Sequence, residues 1–455
     1  MMIAQNASAI KRSRRLYLLE GALEYLISIP VTGSFLAILT RELGISDRLT
    51  GILSSVISLG CLFQLLSLSV RRTGVKRMVI RFSLMNQLLF TLLYVIPLIG
   101  GKQPLKQGLF VLFIVAAYFV YNLAHPKKIS WLMSLVEDGS RGAFTANKEI
   151  LSLVCGMVFS FLMGAMIDRF AASGRIRTAF ILSAAVLLLL TVLHTLTMAW
   201  TVEREAPAET TGCFLSGLKA FIHNPKMVKI TGVFVLYSIA NYASVPFYGT
   251  YQIGELRLSL KTVSVLMIGG NLSRILVSRL WGRYADRKSF AAMTEKCLLV
   301  LGLAQWFALM AVPSNGAVMF ALYFVFYGIA LGGINRALIN LVFDYADTYT
   351  RSDSLAITQA VSGLVGFLTT VGVSPLLPYV QGNPPVIFGI SVYAQQLCTL
   401  ISLLFTAAAV LYVRKALLRK GASAEERRDC HGKNLPSQRV HPTGYLRGCS
   451  HKSVH

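Results

Sequence analysis

The chain alternates between long apolar stretches and short gaps that hold most of its charged residues. A helix that crosses the roughly 30 Å of bilayer hydrocarbon needs about 20 predominantly apolar residues. The long stretches show no two-residue alternation, and in lipid only helices and closed barrels satisfy their backbone, so helices are predicted. We number the predicted spans in chain order: span 1, 17–40; span 2, 49–70; span 3, 78–99; span 4, 108–124; span 5, 147–167; span 6, 178–201; span 7, 230–250; span 8, 262–281; span 9, 295–312; span 10, 317–341; span 11, 355–378; and span 12, 389–413.

The composition agrees with a membrane protein, since 55% of the 455 residues are hydrophobic and only 14% are charged. A soluble protein carries about a quarter charged residues, because even a large core needs a polar surface. The predicted fold class is therefore an all-α integral membrane protein with twelve transmembrane helices. The net charge of +24 could attract nucleic acid. Because the Lys and Arg residues lie mainly between spans, the predicted partner is the lipid bilayer, and no nucleic acid is expected.

Lys and Arg are concentrated in the gaps and tails on the side of the N-terminus. This bias sets the orientation of membrane proteins, and the side that is rich in Lys and Arg faces the cytoplasm. Both termini are thus predicted to be cytoplasmic, in a multi-pass protein of the plasma (cytoplasmic) membrane. The basic residues before span 1 do not predict a cleaved signal peptide, because the apolar stretch that follows is too long for one.

Spans 1 and 7 share a local pattern, PVTGSF at 30–35 and PFYGTY at 246–251. Weaker matches follow in the same order, beginning with ELGIS at 42–46 and ELRLS at 255–259. Because the repeats are six spans apart, both halves have the same orientation and are related by an axis along the membrane normal. Four segments are predicted: an N-terminal six-helix bundle, a cytoplasmic linker with a short amphipathic helix, a C-terminal six-helix bundle and a basic, disordered tail, at 1–201, 202–229, 230–413 and 414–455.

The sequence WGRYADRKS at 281–289 places four charged residues in the cytoplasmic gap between spans 8 and 9. With the twelve spans and the repeated halves, this turn resembles the major facilitator superfamily. The signature of that family runs roughly G-x-x-x-D-[RK]-x-G-[RK]-[RK] between spans 2 and 3 and is often echoed between spans 8 and 9. Gly282, Asp286 and Arg287 match the echo, whereas Ser289 replaces its later glycine. The copy between spans 2 and 3 departs further, with Arg71 at the position of the aspartate.

The resemblance implies a role for Asp286 as a cytoplasmic gate. In this family the signature aspartate sits against the N-terminus of a helix in the other half, where unpaired N–H groups and the helix dipole favour an anion. By the repeat, Asp286 is expected to face the start of span 5, near Arg141 and Lys148, when the cytoplasmic side is closed. The alternative is that Asp286 only offsets the positive charges beside it.

Span 1 carries charged side chains into the membrane, where each costs about 2.5–3.5 kcal/mol at the centre of a helix. Its polar residues recur every four positions and form one stripe: Glu20, Glu24, Ser28 and Thr32. Glu24 is predicted near the midplane, and Glu20 is expected to reach the cytoplasmic boundary. A carboxyl buried away from water holds its proton more tightly, which would let Glu24 couple proton movement to substrate movement.

The alternative for Glu24 is a structural ion pair with a basic residue on a neighbouring span. Arg274 in span 8 lies at a similar predicted depth, about 12 Å from the cytoplasmic side at 1.5 Å per residue. The sequence leaves two roles open for Arg274: a pair with Glu24 across the cavity, or reception of an anionic substrate.

Span 7 carries a second polar stripe at helical spacing, formed by Tyr237, Asn241, Ser244, Tyr248 and Tyr251. In the family that the chain resembles, spans 1 and 7 line the central cavity, so these residues are predicted to hydrogen-bond an organic solute. The alternative is packing between helices through hydroxyl groups. In span 10, Asn335 and Arg336 are secondary candidates. His125-Pro126 is predicted to end span 4.

No phosphate-binding loop or hydrolase motif occurs in the sequence, so the chain is predicted not to be an enzyme and to need no cofactor. In the tail, Cys449, His451 and His455 have a spacing loosely compatible with a metal, but no metal is predicted. The predicted function is a monomeric secondary active transporter of a small organic solute, in either direction, with protons as the candidate coupling ion. The rival is a receptor with a transporter fold that binds a solute without moving it.

Overall fold

A computed structural model of the protein describes residues 2–64, 75–136, 141–203, 224–345, 351–382, 385–387 and 390–418. The predicted amphipathic helix of the linker and the whole stretch after residue 418 lie outside the described residues. So do residues 65–74, which include Arg71 and the first part of the charged sequence between spans 2 and 3.

Every predicted span coincides with a helix or a pair of helices. Their bounds are Met2–Ser28 and Gly33–Glu42 for span 1, Asp47–Gln64 for span 2, Val75–Val95 for span 3, Gln103–Met133 for span 4, Arg141–Ala172 for span 5, Ile176–Trp200 for span 6, Pro225–Tyr242 and Val245–Thr250 for span 7, Leu260–Arg287 for span 8, Phe290–Leu309 for span 9, Gly316–Tyr345 for span 10, Arg351–Val373 and Leu376–Gly382 for span 11, and Ala394–Val413 for span 12.

Within the described residues, ten of these helical segments are long and apolar enough to cross a membrane, or eleven if the bent span 1 is included. The twelfth prediction, span 2 at 49–70, runs past residue 64 into residues that the structure does not describe. The all-helical membrane fold is therefore confirmed, whereas the full count of twelve spans stays a prediction. A two-stranded antiparallel ribbon, Val386–Ile387 with Ile390–Ser391, lies between spans 11 and 12.

Spans 1 and 7 are both broken near the repeated proline. In span 1, the two helices meet at an angle of 42° across the short 3-10 turn Ile29–Val31. Gly33 follows this turn with a φ of 53°, in the left-handed region that glycine adopts most easily. In span 7 the break falls at Ala243 and Ser244, just before Pro246. A proline lacks the N–H that would continue the helix, which gives both breaks a local cause.

Span 4 corrects one prediction. Its helix does not end at His125-Pro126 but continues through Pro126 to Met133. A proline is tolerated inside a membrane helix when neighbouring helices and polar side chains satisfy the freed backbone group. The extra two turns bring Lys128 into the interior of the N-terminal half.

Each half has its own apolar core. The N-terminal core joins spans 1 to 4 with span 6 through residues such as Leu36, Phe90 and Phe110, and the C-terminal core joins spans 7, 9, 10 and 12 through Leu298 and similar residues. A third cluster crosses between halves and packs Phe35, Met163 and Ile167 of the N-terminal half against C-terminal residues: Ile253, Leu260 and Val263. Many leucines on the outside of the bundles are exposed, as lipid-facing positions require.

Candidate functional site

The two halves meet at the outer side, by which we mean the side where spans 1 and 7 end. There Ser34 Oγ donates a hydrogen bond of 2.7 Å to Gln252 Oε1, and both side chains are buried. The broken tips of spans 1 and 7 also approach very closely, because a Cβ atom on Gly249 would lie 2.5 Å from the carbonyl oxygen of Gly33. A side chain at position 249 would therefore force the tips apart.

Spans 5 and 8 continue this contact. The Asp168 carboxylate accepts hydrogen bonds from the backbone N–H groups of Leu260, at 3.1 Å, and of Lys261, at 2.6 Å. These are the first residues of the span 8 helix, so the anion satisfies free N–H groups at the positive end of the helix dipole. One turn deeper, Ser264 Oγ donates to the Ser160 carbonyl oxygen at 2.9 Å.

Spans 2 and 11 make a third outer contact. Arg48 Nε donates to Ser374 Oγ at 3.3 Å, and Gln381 Nε2 donates to Asp47 Oδ2 at 3.0 Å. Together with the contacts of spans 1, 5, 7 and 8, these bonds close the outer side of the interface between the halves.

One ion pair between the halves lies much deeper. Arg274 Nη2 in span 8 donates to Glu149 Oε1 in span 5 at 2.6 Å. Fourteen residues separate Arg274 from Leu260, which at 1.5 Å per residue places Arg274 about 20 Å from the outer end of span 8. Arg274 therefore lies near the middle of the span 8 helix, at the level expected for a central cavity.

A buried group of charges lies within the N-terminal half. Lys128 Nζ donates to Glu20 Oε1 at 2.8 Å and also bonds Glu24 Oε1. Glu20 and Lys128 are almost completely buried, whereas the Glu24 side chain is 25% exposed. We call Glu20, Glu24, Lys128, His194 and Gln87 the acid–lysine cluster.

His194 and Gln87 complete this cluster. The His194 ring is fully buried; its Nε2 lies 3.2 Å from Glu20 Oε1, and its Nδ1 lies 2.8 Å from Gln87 Nε2. An amide nitrogen can only donate, so in this arrangement Nδ1 accepts and Nε2 carries the hydrogen that is donated to Glu20. The hydrogen bonds thus fit a neutral imidazole and an ionised Glu20 that receives donors from Lys128 and His194.

A small cavity of about 10 Å³, roughly the space of one water molecule, adjoins the acid–lysine cluster and is lined by Glu24, Ser83, Asn86, Gln87, Tyr121, Ala124, His125 and Lys128. Three buried polar atoms nearby have no hydrogen-bond partner: Glu20 Oε2, Gln87 Oε1 and His125 Nδ1. Buried polar atoms without partners are uncommon, and they mark positions where water, a proton or a ligand can bind.

The structure corrects two expectations for the charged residues of spans 1 and 8. Glu20 does not reach the cytoplasmic boundary but is 1% exposed beside Lys128. Glu24 does not pair with Arg274, since Glu24 bonds Lys128 and Arg274 bonds Glu149. Glu24 thus forms an ion pair with a residue of a neighbouring span, which is the arrangement that the sequence offered as the alternative to proton coupling.

Four residues of these networks were not predicted from the sequence: Gln87, Lys128, Glu149 and His194. Lys128 was assigned to the gap after span 4 because the helix was ended too early, and Glu149 was taken as part of the charged start of span 5. His194 lies in the second half of span 6, where one ionisable side chain in an otherwise uncharged stretch was the available signal.

The predicted cavity residues of spans 1 and 7 divide into two groups. Ser28 and Thr32 bond backbone carbonyls of their own turn, Thr32 is exposed, and the half-buried Asn241 accepts from the Tyr327 hydroxyl at 3.1 Å. By contrast, Ser244 and Tyr248 are buried against span 12, as the packing alternative expects. Ser402 Oγ donates to Ser244 Oγ at 2.8 Å, and the Tyr248 hydroxyl lies 3.1 Å from Thr399 Oγ1.

The residues predicted for the cytoplasmic gate and the secondary cavity candidates of span 10 are mostly exposed. Asp286 and Arg287 are exposed at the end of the span 8 helix, as are Asn335 and Arg336 in span 10, while Gly282 is half-buried. Arg141 is the first residue of the span 5 helix, and its side chain lies outside the described residues. The described side chains hold no group of three or more His, Cys, Asp or Glu that could bind a metal.

Comparisons with known proteins agree with this architecture. A sequence profile described as Major Facilitator Superfamily matches residues 21–370. A mutant of the nucleoside transporter NupG superimposes with a TM-score of 0.66 at 13% identity, over 90% of this chain and 100% of its own. A D-xylose-proton symporter gives 0.64 at 12% identity, over 89% and 97%.

A third similar structure is a bacterial homologue of the human lysosomal transporter Spinster, in an inward-facing and unoccupied conformation. Its TM-score is 0.62 at 12% identity, over 90% of this chain and 96% of its own. A search among curated proteins found no match to the sequence. At such low identity, the three structures establish a shared fold.

Proposed function

The chain belongs to the Major Facilitator Superfamily, and on that basis we propose that it is a secondary active transporter of a small organic solute. The observation that carries this proposal is the uneven contact between the halves. A closed outer side lies above an ion pair near mid-membrane, and Asp286 is exposed at the cytoplasmic end of span 8. That arrangement fits one state of an alternating-access cycle.

Spans 5 and 8 supply a reciprocal pair of contacts for that cycle. Asp168, at the outer end of span 5, bonds the N-terminus of span 8, and Asp286, at the inner end of span 8, is expected to face the N-terminus of span 5. We propose that the first contact closes the outer side and the second closes the cytoplasmic side. Each is worth about 0.3–1 kcal/mol, so the two states can exchange readily.

The acid–lysine cluster supports proton coupling. Glu20, Glu24 and Lys128 together carry one more negative than positive charge when ionised, and such an excess is costly inside a membrane. A proton on Glu24, the most exposed of the three, would balance the charge without breaking the bonds of Glu20. We propose that Glu24 is the group that exchanges its proton and that Lys128 moves toward Glu20 when Glu24 is neutral.

The names of two similar structures, a nucleoside transporter and a D-xylose-proton symporter, support a polar organic solute and protons as the coupling ion. The site between the halves offers half-buried polar residues for such a solute, including Asn241 and Ser28. The chain is a multi-pass membrane protein, and we propose that it works as a monomer in the plasma membrane with cytoplasmic termini.

Counterflow in proteoliposomes tests the proposal. A thermal-shift panel of nucleosides, sugars and organic acids first selects a solute that stabilises the purified protein, since a ligand of the folded state raises the unfolding temperature. Vesicles that hold this solute unlabelled should then take up the labelled form transiently, and an inward proton gradient should increase its accumulation. Stabilisation by a solute without any counterflow would favour a receptor over a transporter.

A further inference from the structure

Arg274 lies in the C-terminal half, but its side chain pairs with Glu149 of the N-terminal half. We propose that Arg274 is the anion-binding residue of the central cavity, and that Glu149 occupies it until a solute with a carboxylate displaces Glu149. The proposal names the chemical class of solute for the transporter proposed above and rests on that function. The binding of an anion to Arg274 can be tested separately.

The bond between Arg274 and Glu149 uses only part of the guanidinium group. Nη2 donates to Glu149 Oε1 at 2.6 Å, whereas Nε is buried and has no hydrogen-bond partner. These two nitrogens lie on the same edge of the guanidinium plane, which matches the two oxygens of one carboxylate. A bidentate carboxylate would satisfy both donors and bind more strongly than the single bond to Glu149.

The surroundings of Arg274 come from both halves and are rich in tyrosine. Its charge acts on the hydroxyl groups of Tyr25 in span 1, Tyr237 in span 7 and Tyr327 in span 10. Such rings offer apolar faces with polar edges, and binding sites for organic molecules combine a few polar groups with surfaces of this kind. The fitting ligand is therefore an organic carboxylate with an apolar or aromatic part.

The exchange of Glu149 for the carboxylate of a solute costs less free energy than the insertion of an unpaired anion into the membrane, because Arg274 stays paired throughout. An unpaired arginine near the middle of the membrane is expensive, so some anion must remain on it. The side chain of Glu149 is 34% exposed and that of Arg274 is 26% exposed, so the displaced carboxylate can be hydrated from the cavity. Because the Arg274–Glu149 pair joins spans 5 and 8, its replacement by a ligand removes a link between the halves.

Chemical rescue tests the anion site with a known probe. Glu149→Ala leaves Arg274 without its carboxylate, and sodium acetate should then raise the unfolding temperature of the purified protein, because acetate can occupy the vacated position. Acetamide and sodium chloride at the same concentration should have no such effect. Wild-type protein should need at least about tenfold more acetate for half the effect, because Glu149 competes.

Two further variants make the result specific. The double variant Glu149→Ala/Arg274→Gln should lose the response to acetate, whereas Glu149→Ala/Arg279→Gln should keep it, because Arg279 is exposed on the same helix. Glu149→Gln, which keeps the shape of the side chain, repeats the test if the alanine variant is poorly folded. An acetate response that survives Arg274→Gln, or that acetamide reproduces, overturns the proposal.

Counterflow separates this proposal from the transporter function. Labelled 3-phenylpropionate and its uncharged amide are compared in vesicles that contain wild-type or Arg274→Gln protein. If acetate rescues Glu149→Ala but no solute shows counterflow, the anion site stands and transport is refuted. If counterflow of a solute is found while acetate has no effect on either Glu149 variant, transport stands and the anion site is refuted.

Discussion

Both halves of the protein are built from helices around an apolar core, yet they satisfy their buried polar groups in different ways. The interior of the C-terminal half is held by neutral pairs: Ser402 with Ser244 at 2.8 Å, Thr406 with Gln305 at 2.7 Å, and Tyr248 with Thr399 at 3.1 Å. The interior of the N-terminal half holds the acid–lysine cluster instead. In the C-terminal half, the ion pair of Arg414 and Glu295 lies at helix ends, outside the middle of the membrane.

This difference indicates which buried groups stabilise the fold and which can change their charge during function. Neutral hydrogen bonds satisfy buried groups at little cost, so they suit the interior of the C-terminal half, away from Arg274, which only has to hold its shape. Buried charges are expensive and are kept where a charge has to change, as in proton relays. We therefore expect the N-terminal half to contain the coupling site and the C-terminal half to respond to it.

Removal of Lys128 should cause the largest loss of stability and so give the clearest difference between the two halves. Lys128→Met leaves the carboxylate of Glu20 without its ammonium partner, and loss of one partner of a buried ion pair costs about 3–5 kcal/mol. In the C-terminal half, Tyr248→Phe removes the neutral hydrogen bond between Tyr248 and Thr399, while Thr399 keeps its bond to the Gln395 carbonyl oxygen, so the change should cost only about 1 kcal/mol. Thermal unfolding of both purified variants in the same detergent measures the difference, and equal losses would contradict the distinction between the halves.

Neutralisation of Glu24 should abolish the coupling of transport to protons without stopping the movement of the solute across the membrane. Glu24→Gln cannot lose or gain a proton, so accumulation driven by a proton gradient should fall to the level seen without a gradient, while counterflow continues. Glu295→Gln in the C-terminal half is the matched control and should keep the gradient-driven accumulation. Full dependence of Glu24→Gln on the proton gradient would remove Glu24 from the coupling role.

The contacts of spans 5 and 8 should give smaller, opposite effects. Asp168→Asn weakens the bond to the start of span 8 and should shift the protein toward the state that is open on the outer side, whereas Asp286→Asn should shift it the other way. An effect of about 0.3–1 kcal/mol corresponds to a population change of roughly two- to fivefold. Labelling of a cysteine at position 34 from the outer side measures it, and shifts in the same direction would refute the reciprocal arrangement.

The stretch after residue 418 should have the smallest effect, because the sequence predicts that it belongs to neither half. A chain that ends at Leu418 is expected to keep the counterflow rate of the full chain. Equal expression of both proteins is verified first by quantification of the purified protein. A clear loss of counterflow in well-expressed, shortened protein would assign the basic tail a part in transport.

Much of the fold could be read from the sequence. The apolar stretches located the helices, and the breaks that the structure shows in spans 1 and 7 lie within or just before the repeated PVTGSF and PFYGTY segments. The end of span 4 was misplaced, because a proline usually ends a helix in water but is tolerated in a membrane bundle. That error of two turns concealed Lys128 and with it the acid–lysine cluster.

The candidate site was predicted only in part. Glu24 and Arg274 stood out because each is a charge well inside an apolar stretch. Their partners could not be assigned, because Glu24 faces span 4 and Arg274 faces span 5, and the sequence does not state which spans are neighbours. The polar stripe of span 7 was equally ambiguous, since Ser244 and Tyr248 turned out to face span 12.

The sequence by itself determined where the chain crosses the membrane, because the thickness of the hydrocarbon layer fixes the length and composition of each helix locally. It also indicated the twofold plan through the repeated segments. Only the tertiary structure decided which charges pair and which side of the interface is closed. Those outcomes depend on the lateral packing of helices that are far apart in the chain, and several arrangements would bring opposite charges within reach of each other.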